Sequence, residues 1–214
     1  MAPPLSLIEP LFRNANMFTS KETFRAAGFD VKQASDHNIM VGRHPSVPDY
    51  LFKKYNSDVS FGDQRKNYEN RVKGADKIRQ LIEARQLRHI VVPHKWIYAL
   101  PSKFSSRKKH KPSYVLIVER MDILDMQENA ARYQSISEEV LDELCRVLYR
   151  FRGFDSAPHN LRFTAGGQIA FIDTESWNRS KRSKLFGVFR RLDAVLTASS
   201  QKLARQTLKK LADE

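Results

Sequence analysis

Cysteine is almost absent from this sequence, because Cys145 is the only one among 214 residues. A single cysteine excludes an internal disulfide and provides no second thiolate at the spacing of a metal site. Proteins without disulfides are typical of reducing compartments. The sequence therefore predicts a cytoplasmic setting.

Long apolar runs are absent as well. No stretch approaches the roughly 18 apolar residues that a membrane-spanning helix needs. The segment from Met1 to Phe18 has no basic stretch followed by a long apolar one, which is the pattern of a cleaved secretory signal. We expect neither a transmembrane segment nor a cleaved signal peptide.

Acidic residues are few relative to basic ones: 24 Asp and Glu against 37 Lys and Arg, a net charge of +13. Basic clusters lie in residues 102–113 and 178–192. Such a surface attracts acidic or phosphate-bearing partners, including an anionic membrane surface, although most charge runs form a solvated face. Nucleic acid is disfavoured as a partner, because the clusters lack regularly interleaved aromatic residues and no nucleic-acid motif is present.

The first half of the chain alternates between helical and strand patterns. A capping box from Thr19 to Glu22 predicts a short helix that ends near Gly28. Residues 63–87 carry apolar side chains at helical spacing and predict one long amphipathic helix. Five runs have the composition and length of strands: 29–35, 38–44, 49–55, 89–100 and 113–121.

The second half is mainly helical, with one hairpin. Residues 122–134 are mixed in pattern, and a capping box from Ser135 to Glu138 predicts a helix that ends before Gly153. The strand-like runs 160–164 and 168–173 are separated by Ala-Gly-Gly, which is typical of a hairpin. A last helix is predicted within residues 190–212.

Three oxygen-bearing side chains surround this hairpin. Asn160 lies five residues after Asp155, and Asp173 follows Asn160 by thirteen. Two carboxylates and an amide at the ends of two short strands could bind Mg²⁺ and leave one carboxylate to orient a hydroxyl. The alternative is that Asp155 and Asn160 only shape a turn, which is the commoner function of Asp and Asn in loops.

The spacing of these residues resembles the protein-kinase superfamily. The segment from Asp155 to Asn160 matches the catalytic-loop pattern D-x-x-P-x-N, and Asp173 in Ile-Asp-Thr-Glu occupies the place of the metal-binding aspartate. The resemblance implies that Asp155 is the catalytic base. It also implies that Asn160 and Asp173 bind Mg²⁺, with Asp173 bridging the metal to the phosphates of ATP.

Kinases also use a strand lysine to bind phosphates and a helical glutamate to hold that lysine. Lys53 fits the lysine, whereas its neighbour Lys54 is placed on the opposite strand face by alternation. Glu69, sixteen residues after Lys53, is the preferred glutamate, and Glu83 is the alternative. Charges on helices often only solvate a surface.

An adenine site is implied by the run from Tyr114 to Met121. It resembles the fifth strand and hinge of a kinase, with Val118 in the gatekeeper place. The backbone groups of Glu119 and Met121 would then hydrogen-bond to adenine. An ordinary core strand would explain the apolar run equally well.

The sequence departs from the kinase pattern in several places. It has no G-x-G-x-x-G loop, since the segment before the third strand carries only Gly42. Gly153 and Phe154 stand where histidine and arginine usually precede the catalytic aspartate, and no A-P-E motif follows Asp173. A kinase so reduced resembles the minimal kinase-fold effectors that some bacteria deliver into host cells, and also lipopolysaccharide-core kinases.

We therefore predict an α+β, reduced bilobal protein-kinase-like fold. Residues 1–28 would form an N-terminal helical extension, and 29–119 an N-lobe with five antiparallel strands and one long helix. Residues 120–214 would form a truncated, mainly helical C-lobe that carries the catalytic loop and the metal-binding segment. Delivery into a host cytosol would follow from the resemblance.

The predicted function is that of a minimal serine/threonine protein kinase using ATP and Mg²⁺. Two alternatives share the fold, because fold does not determine chemistry. The acceptor could be a sugar or another small molecule, or AMP could be transferred. A third alternative is a non-catalytic basic module that binds nucleic acid or anionic lipid.

Overall fold

The structure is a computed structural model that describes residues 5–13, 20–33, 39–55, 61–100, 113–151, 154–175 and 191–213. The helices are α1 (Leu5–Ile8), the 3₁₀ helix η1 (Glu9–Phe12), α2 (Lys21–Ala26), α3 (Phe61–Arg85), α4 (Met126–Gln134), α5 (Glu138–Arg150) and α6 (Ala198–Asp213). The strands are β1 (Asp30–Gln33), β2 (Ile39–Arg43), β3 (Tyr50–Tyr55), β4 (Ile90–Val91), β5 (Lys95–Ala99), β6 (Tyr114–Glu119), β7 (Leu161–Phe163) and β8 (Ile169–Phe171). In the described part of the chain, no helix combines the length and apolar character needed to cross a bilayer.

The chain divides into two compact units. The first contains Met1–Val72 and His94–Arg120, and the second contains Lys73–Pro93 and Met121–Glu214. Helix α3 contributes its N-terminal half to the first unit and its C-terminal half to the second. The identification of these units with kinase lobes stays a prediction.

A five-stranded antiparallel sheet forms the centre of the first unit, in the order β1-β2-β3-β6-β5. The predicted α+β class, with this sheet, one long helix and a mainly helical C-terminal part, is confirmed. The predicted strand 89–100 is in fact two strands, because Pro93 offers no N–H to a ladder and the chain leaves extended pairing there. Its first part, β4, pairs with β8 in another sheet.

Both faces of this sheet are covered within the first unit. Ile8, Phe12 and Phe24 from the N-terminal helices pack with Phe29 and Phe52 on one face. Tyr68 of α3 packs on the other face, in a cluster of buried residues that includes Ile39, Tyr55, Leu116 and Val118. The segment predicted as an extension therefore supplies part of the core of this unit.

Gly42 is explained by packing on this first face. A Cβ at this position would collide with the ring of Phe24. The absence of a side chain therefore lets the aromatic ring lie directly against β2. The loop before β2, residues 34–38, lies outside the described residues.

The second unit has one apolar core. Leu141, Leu144 and Leu148 on one face of α5 pack with Phe171 of β8 and Leu208 of α6. Helix α5 begins at the N-cap Ser137, two residues later than the predicted box implied. Helix α4 was not predicted, although Asp125 and Glu128 form a capping box at its start. Asp accepts the same N-cap hydrogen bond as Ser or Thr, so the start of α4 does have a signal in the sequence.

The predicted hairpin is confirmed. Strands β7 and β8 pair antiparallel, with Leu161 opposite Phe171. Thr164 N–H donates to the carbonyl of Gln168 at 2.7 Å and closes a loop of three residues. Gly167 has φ +83°, the left-handed conformation that this type of turn needs at its last position. β4 lies parallel to β8 and completes a three-stranded sheet.

Candidate active site

Asp155 follows a residue that is anchored in the core. Phe154 is buried, and its ring lies 5.7 Å from that of Phe171 in an edge contact. The N–H of Phe154 donates to the carbonyl of Phe151 at 3.1 Å. Phe154 therefore ties the start of the loop to β8, and Asp173 lies two residues beyond the end of this strand.

Backbone hydrogen bonds bring Asn160 to the end of β8. Ile172 N–H donates to the carbonyl of Asn160 at 2.9 Å, and Asp173 is the next residue. Asn160 Nδ2 donates to the carbonyl of Asp155 at 3.4 Å. The structure therefore places Asp155, Asn160 and the segment leading to Asp173 at the same end of the hairpin.

These side chains partly shape their own turns. Ala157 N–H donates to Asp155 Oδ1 at 3.1 Å, and Glu175 N–H donates to Asp173 Oδ1 at 3.1 Å. Among the described residues, Asp155 Oδ2 and Asn160 Oδ1 take no hydrogen bond. Turn formation therefore accounts for part of the pattern. Among the described residues it leaves Asp155 Oδ2 and Asn160 Oδ1 available, and such oxygen atoms suit a hard cation.

Helix α4 supplies two supports that the sequence did not reveal. Asn129 is fully buried; its Nδ2 donates to the carbonyl of Pro158 at 3.2 Å, and its Oδ1 accepts from Phe163 N–H at 2.8 Å. Tyr133 Oη donates to the carbonyl of Leu161 at 3.0 Å. One helix face thus binds both the loop after Asp155 and strand β7.

Lys53 lies in the middle of the sheet of the first unit. It stands opposite Val41 of β2 and Leu116 of β6. Tyr68 Oη donates to the carbonyl of Lys53 at 3.0 Å and accepts from Tyr55 N–H at 3.0 Å. Because Lys53 and Tyr55 are two residues apart on one strand, Lys53 shares the sheet face that α3 covers.

Glu69 does not pair with Lys53 in this structure. Its carboxylate accepts from Arg65 Nε at 2.7 Å, one helical turn earlier, and from no other described residue. The i,i+4 spacing favours this pair. Glu83, the alternative, is exposed near the end of α3. The role of either glutamate towards Lys53 stays a prediction.

Lys54 is more deeply buried than Lys53. It is 5% exposed, and its Nζ donates to Gln64 Oε1 of α3 at 3.5 Å, so the long side chain carries the ammonium back to the helix. Burial lowers the pKa of Lys54 to about 8, because the interior disfavours the charged form. Among the residues whose side chains the structure describes, no carboxylate forms an ion pair with it.

The predicted hinge residues are partly engaged within the first unit. Glu119 N–H donates to the carbonyl of His94 at 2.9 Å. Of the two backbone groups of Glu119, only the carbonyl could therefore form a hydrogen bond with adenine. Burial alone would raise the pKa of the Glu119 carboxyl, but hydrogen bonds from the backbone and ring of His94 outweigh it and lower the pKa. The N–H of Met121 has no partner within the described ranges.

A second group of potential metal ligands lies elsewhere in the second unit. His89 Nε2 is 3.3 Å from Glu139 Oε1, and Glu143 is close to both. The two oxygens of Glu143, however, accept the N–H groups of Arg88 and His89 at 2.9 and 2.8 Å. The carboxylate of Glu143 on α5 therefore binds the backbone of the two residues that precede β4.

Both predicted basic clusters fall in residues 101–112 and 176–190, outside the described residues except at their margins. Their proposed contact with an anionic membrane surface stays a prediction.

Comparison with known proteins shows only a distant structural likeness. No family model matches the sequence, and no curated protein matches it. The structure of WbdD aligns over 83% of this chain at 12% identity and a TM-score of 0.39, and this chain spans half of the WbdD chain. The MAP kinase LmaMPK10 from Leishmania major aligns over 83% of this chain and 69% of its own, at 13% identity and a TM-score of 0.34. The chain thus has distant structural similarity to kinase-fold proteins, and similarity at this level bears on neither activity nor substrate.

Proposed function

We propose that this protein is an ATP- and Mg²⁺-dependent phosphotransferase. The observation that carries the proposal is the arrangement around β7 and β8, where hydrogen bonds join Asp155 to Asn160 and Asn160 to Ile172, next to Asp173. Two carboxylates and an amide at one hairpin end are groups that protein kinases use to transfer a phosphoryl group to a hydroxyl. The proposal thus rests on residues of this chain.

Asp155 would act on the acceptor. Its Oδ2 is uncommitted among the described residues, so it can accept the hydrogen bond of an incoming hydroxyl. The hydroxyl oxygen forms a bond to the γ-phosphorus as the bond to the bridging oxygen of ADP breaks, and the hydroxyl proton passes to Asp155. Phe154 and Asn129 keep the loop in place through buried contacts.

Asn160 and Asp173 would hold Mg²⁺ through hard oxygen atoms, and the ion would neutralise charge on the transferred phosphoryl group. Lys53 would neutralise the phosphates from β3, and the carbonyl of Glu119 with the N–H of Met121 would hold adenine. Glu69 would position Lys53, and to do so its carboxylate would exchange Arg65 for the Lys53 ammonium.

The acceptor in this proposal is a serine or threonine hydroxyl of a protein. This choice, like delivery into a host cell, depends on the resemblance of the sequence to minimal effector kinases. A sugar, another small molecule or AMP transfer are the alternatives, and the readout of the experiment separates them.

The test uses γ-labelled ATP, Mg²⁺ and a eukaryotic cell lysate, with the full chain. Wild type is compared with Asp155→Ala, Asp173→Ala and the control Asp142→Ala, which removes an exposed carboxylate paired with Arg146. We expect labelling by wild type and by the control, and a loss of at least about 100-fold in the two site variants. Chelation of Mg²⁺ should abolish labelling.

The measurement also identifies the chemistry. The intact mass of a labelled protein distinguishes a phosphoryl adduct from an AMP adduct. ATP turnover without a labelled protein would point to a small-molecule acceptor. Full activity in both site variants would contradict the proposal, and so would an absence of ATP binding, which would leave the basic binding module as the better hypothesis.

A further inference from the structure

The carboxylate of Asp155 is contacted by a cation from a distant part of the sequence. Arg191 lies thirty-six residues after Asp155, and its Nη1 donates to Asp155 Oδ1. The pair lies within the second unit. Among the described residues, Arg191 has no other hydrogen bond or ion pair. The kinase-like motifs did not predict this contact.

The contact uses an oxygen that is already engaged. Asp155 Oδ1 also accepts from Ala157 N–H at 3.1 Å, whereas Oδ2 accepts from no described residue. An arginine that masks a carboxylate typically binds both oxygens as a fork. Arg191 binds one oxygen only, so it leaves available the oxygen that would receive the acceptor proton.

Two donors on one oxygen restrict rotation of the carboxylate. One donor is the N–H of Ala157, which lies two residues after Asp155 in the same loop. The other is Arg191, which lies in a separate segment of the chain. Together they orient the carboxylate plane and therefore the direction in which Oδ2 points. Such support of a reacting group is the usual function of a neighbour that does not touch the substrate.

The pair contributes little to folding. Arg191 is 62% exposed and Asp155 is 38% exposed, and exposed ion pairs are screened by solvent. Removal of Arg191 should therefore leave the folded protein intact. An effect on activity can then be attributed to the geometry of Asp155.

We propose that Arg191 is a positioning residue for phosphoryl transfer, which holds Oδ1 of Asp155 so that Oδ2 accepts the hydroxyl of the acceptor. This inference rests on the proposed function, because it assigns a role in the same reaction. It gives the segment after residue 190 a function in the active site.

The test compares Arg191→Ala and Arg191→Lys with the matched control Arg205→Ala. Arg205 is 58% exposed and lies 3.9 Å from Asp193, so it is a similar surface pair away from Asp155. The initial rate of labelling of lysate proteins at saturating Mg²⁺-ATP and the KM for ATP are measured for each full-length variant. Thermal unfolding checks the fold.

We expect Arg191→Ala to lower the rate at saturating ATP by about 10- to 100-fold, with the KM for ATP within about 2-fold of wild type. Arg191→Lys should recover part of the loss, because an ammonium can still donate to Oδ1. Arg205→Ala should match wild type. A role only in stability would instead lower the unfolding temperature, and the rate per folded molecule would then match that of wild type.

Two results would overturn the inference, and they differ. If wild type labels acceptors and Arg191→Ala does so at the same rate or faster, Arg191 is not a positioning residue, and a faster rate would identify an inhibitory contact. If wild type neither labels acceptors nor turns over ATP, the proposed function fails and the inference fails with it.

Discussion

The hairpin segment, residues 155–173, and the strand–helix pair, β3 with α3, present their predicted site residues in different ways. In the hairpin segment, Asp155, Asn160 and Ile172 are joined by hydrogen bonds over eighteen residues or fewer. In the strand–helix pair, Lys53 is placed by its strand, whereas the carboxylate of Glu69 is held by Arg65. Short-range polar patterns thus determine their own geometry more strongly than charges on a long helix do.

The reason for the difference is the number of competing partners. A turn residue such as Asp155 has one nearby N–H that fits it, that of Ala157. A glutamate on a helix has neighbours three and four residues away, and in α3 Arg65 is one of them. Spacing in sequence therefore predicts the proximity of Asp155 and Asn160 better than it predicts the partner of the Glu69 carboxylate.

The fold could be predicted from the same kind of local pattern. The five strands of the antiparallel sheet and the hairpin follow from strand composition, run length and turn residues, although the run 89–100 was predicted as one strand and contains two, β4 and β5. Asn129 could not be predicted, because a polar residue inside a helix gives no sign that it will be buried against Pro158 and Phe163. Arg191 could not be predicted either, because its partner lies thirty-six residues away.

The first prediction concerns Asn129, which supports the hairpin segment from helix α4. Asn129→Ala removes two buried hydrogen bonds and leaves the N–H of Phe163 without a partner. We expect a loss of about 2–4 kcal/mol in the free energy of unfolding. Urea unfolding measures it, with Gln127→Ala as the exposed control on the same helix. Equal stability of the two variants would show that the loop and β7 do not depend on Asn129.

The second prediction concerns Lys54 in the strand–helix pair. Its folded pKa of about 8 lies below the unfolded value of roughly 10.4, so the folded state disfavours the charged form. Protonation therefore costs stability below pH 8, and this cost fades as the pH rises from 8 towards 10.4. Lys54→Met should be more stable than wild type at pH 7, by up to roughly 3 kcal/mol.

The difference between Lys54→Met and wild type should shrink by pH 9.5, where the wild-type lysine is largely neutral in the folded state. Urea unfolding at pH 7 and pH 9.5 measures it. The matched control is Lys32→Met, an exposed lysine on β1. A constant difference between Lys54→Met and wild type at both pH values would mean that Lys54 stays charged in the folded protein.

The smallest expected effect sharpens the comparison at Glu69. Its partner Arg65 is 59% exposed and Glu69 is 35% exposed, so Glu69→Ala should cost no more than about 1 kcal/mol in the free energy of unfolding. If Glu69 acts only through Arg65, Arg65→Ala should change the KM for ATP as little as Glu69→Ala does, while Lys53→Ala raises it strongly. If Glu69 instead exchanges Arg65 for Lys53 when ATP binds, Glu69→Ala alone should approach the effect of Lys53→Ala. That result would mean that α3 completes its ion pair only in the nucleotide complex, and that the strand–helix pair, unlike the hairpin segment, is assembled by its substrate.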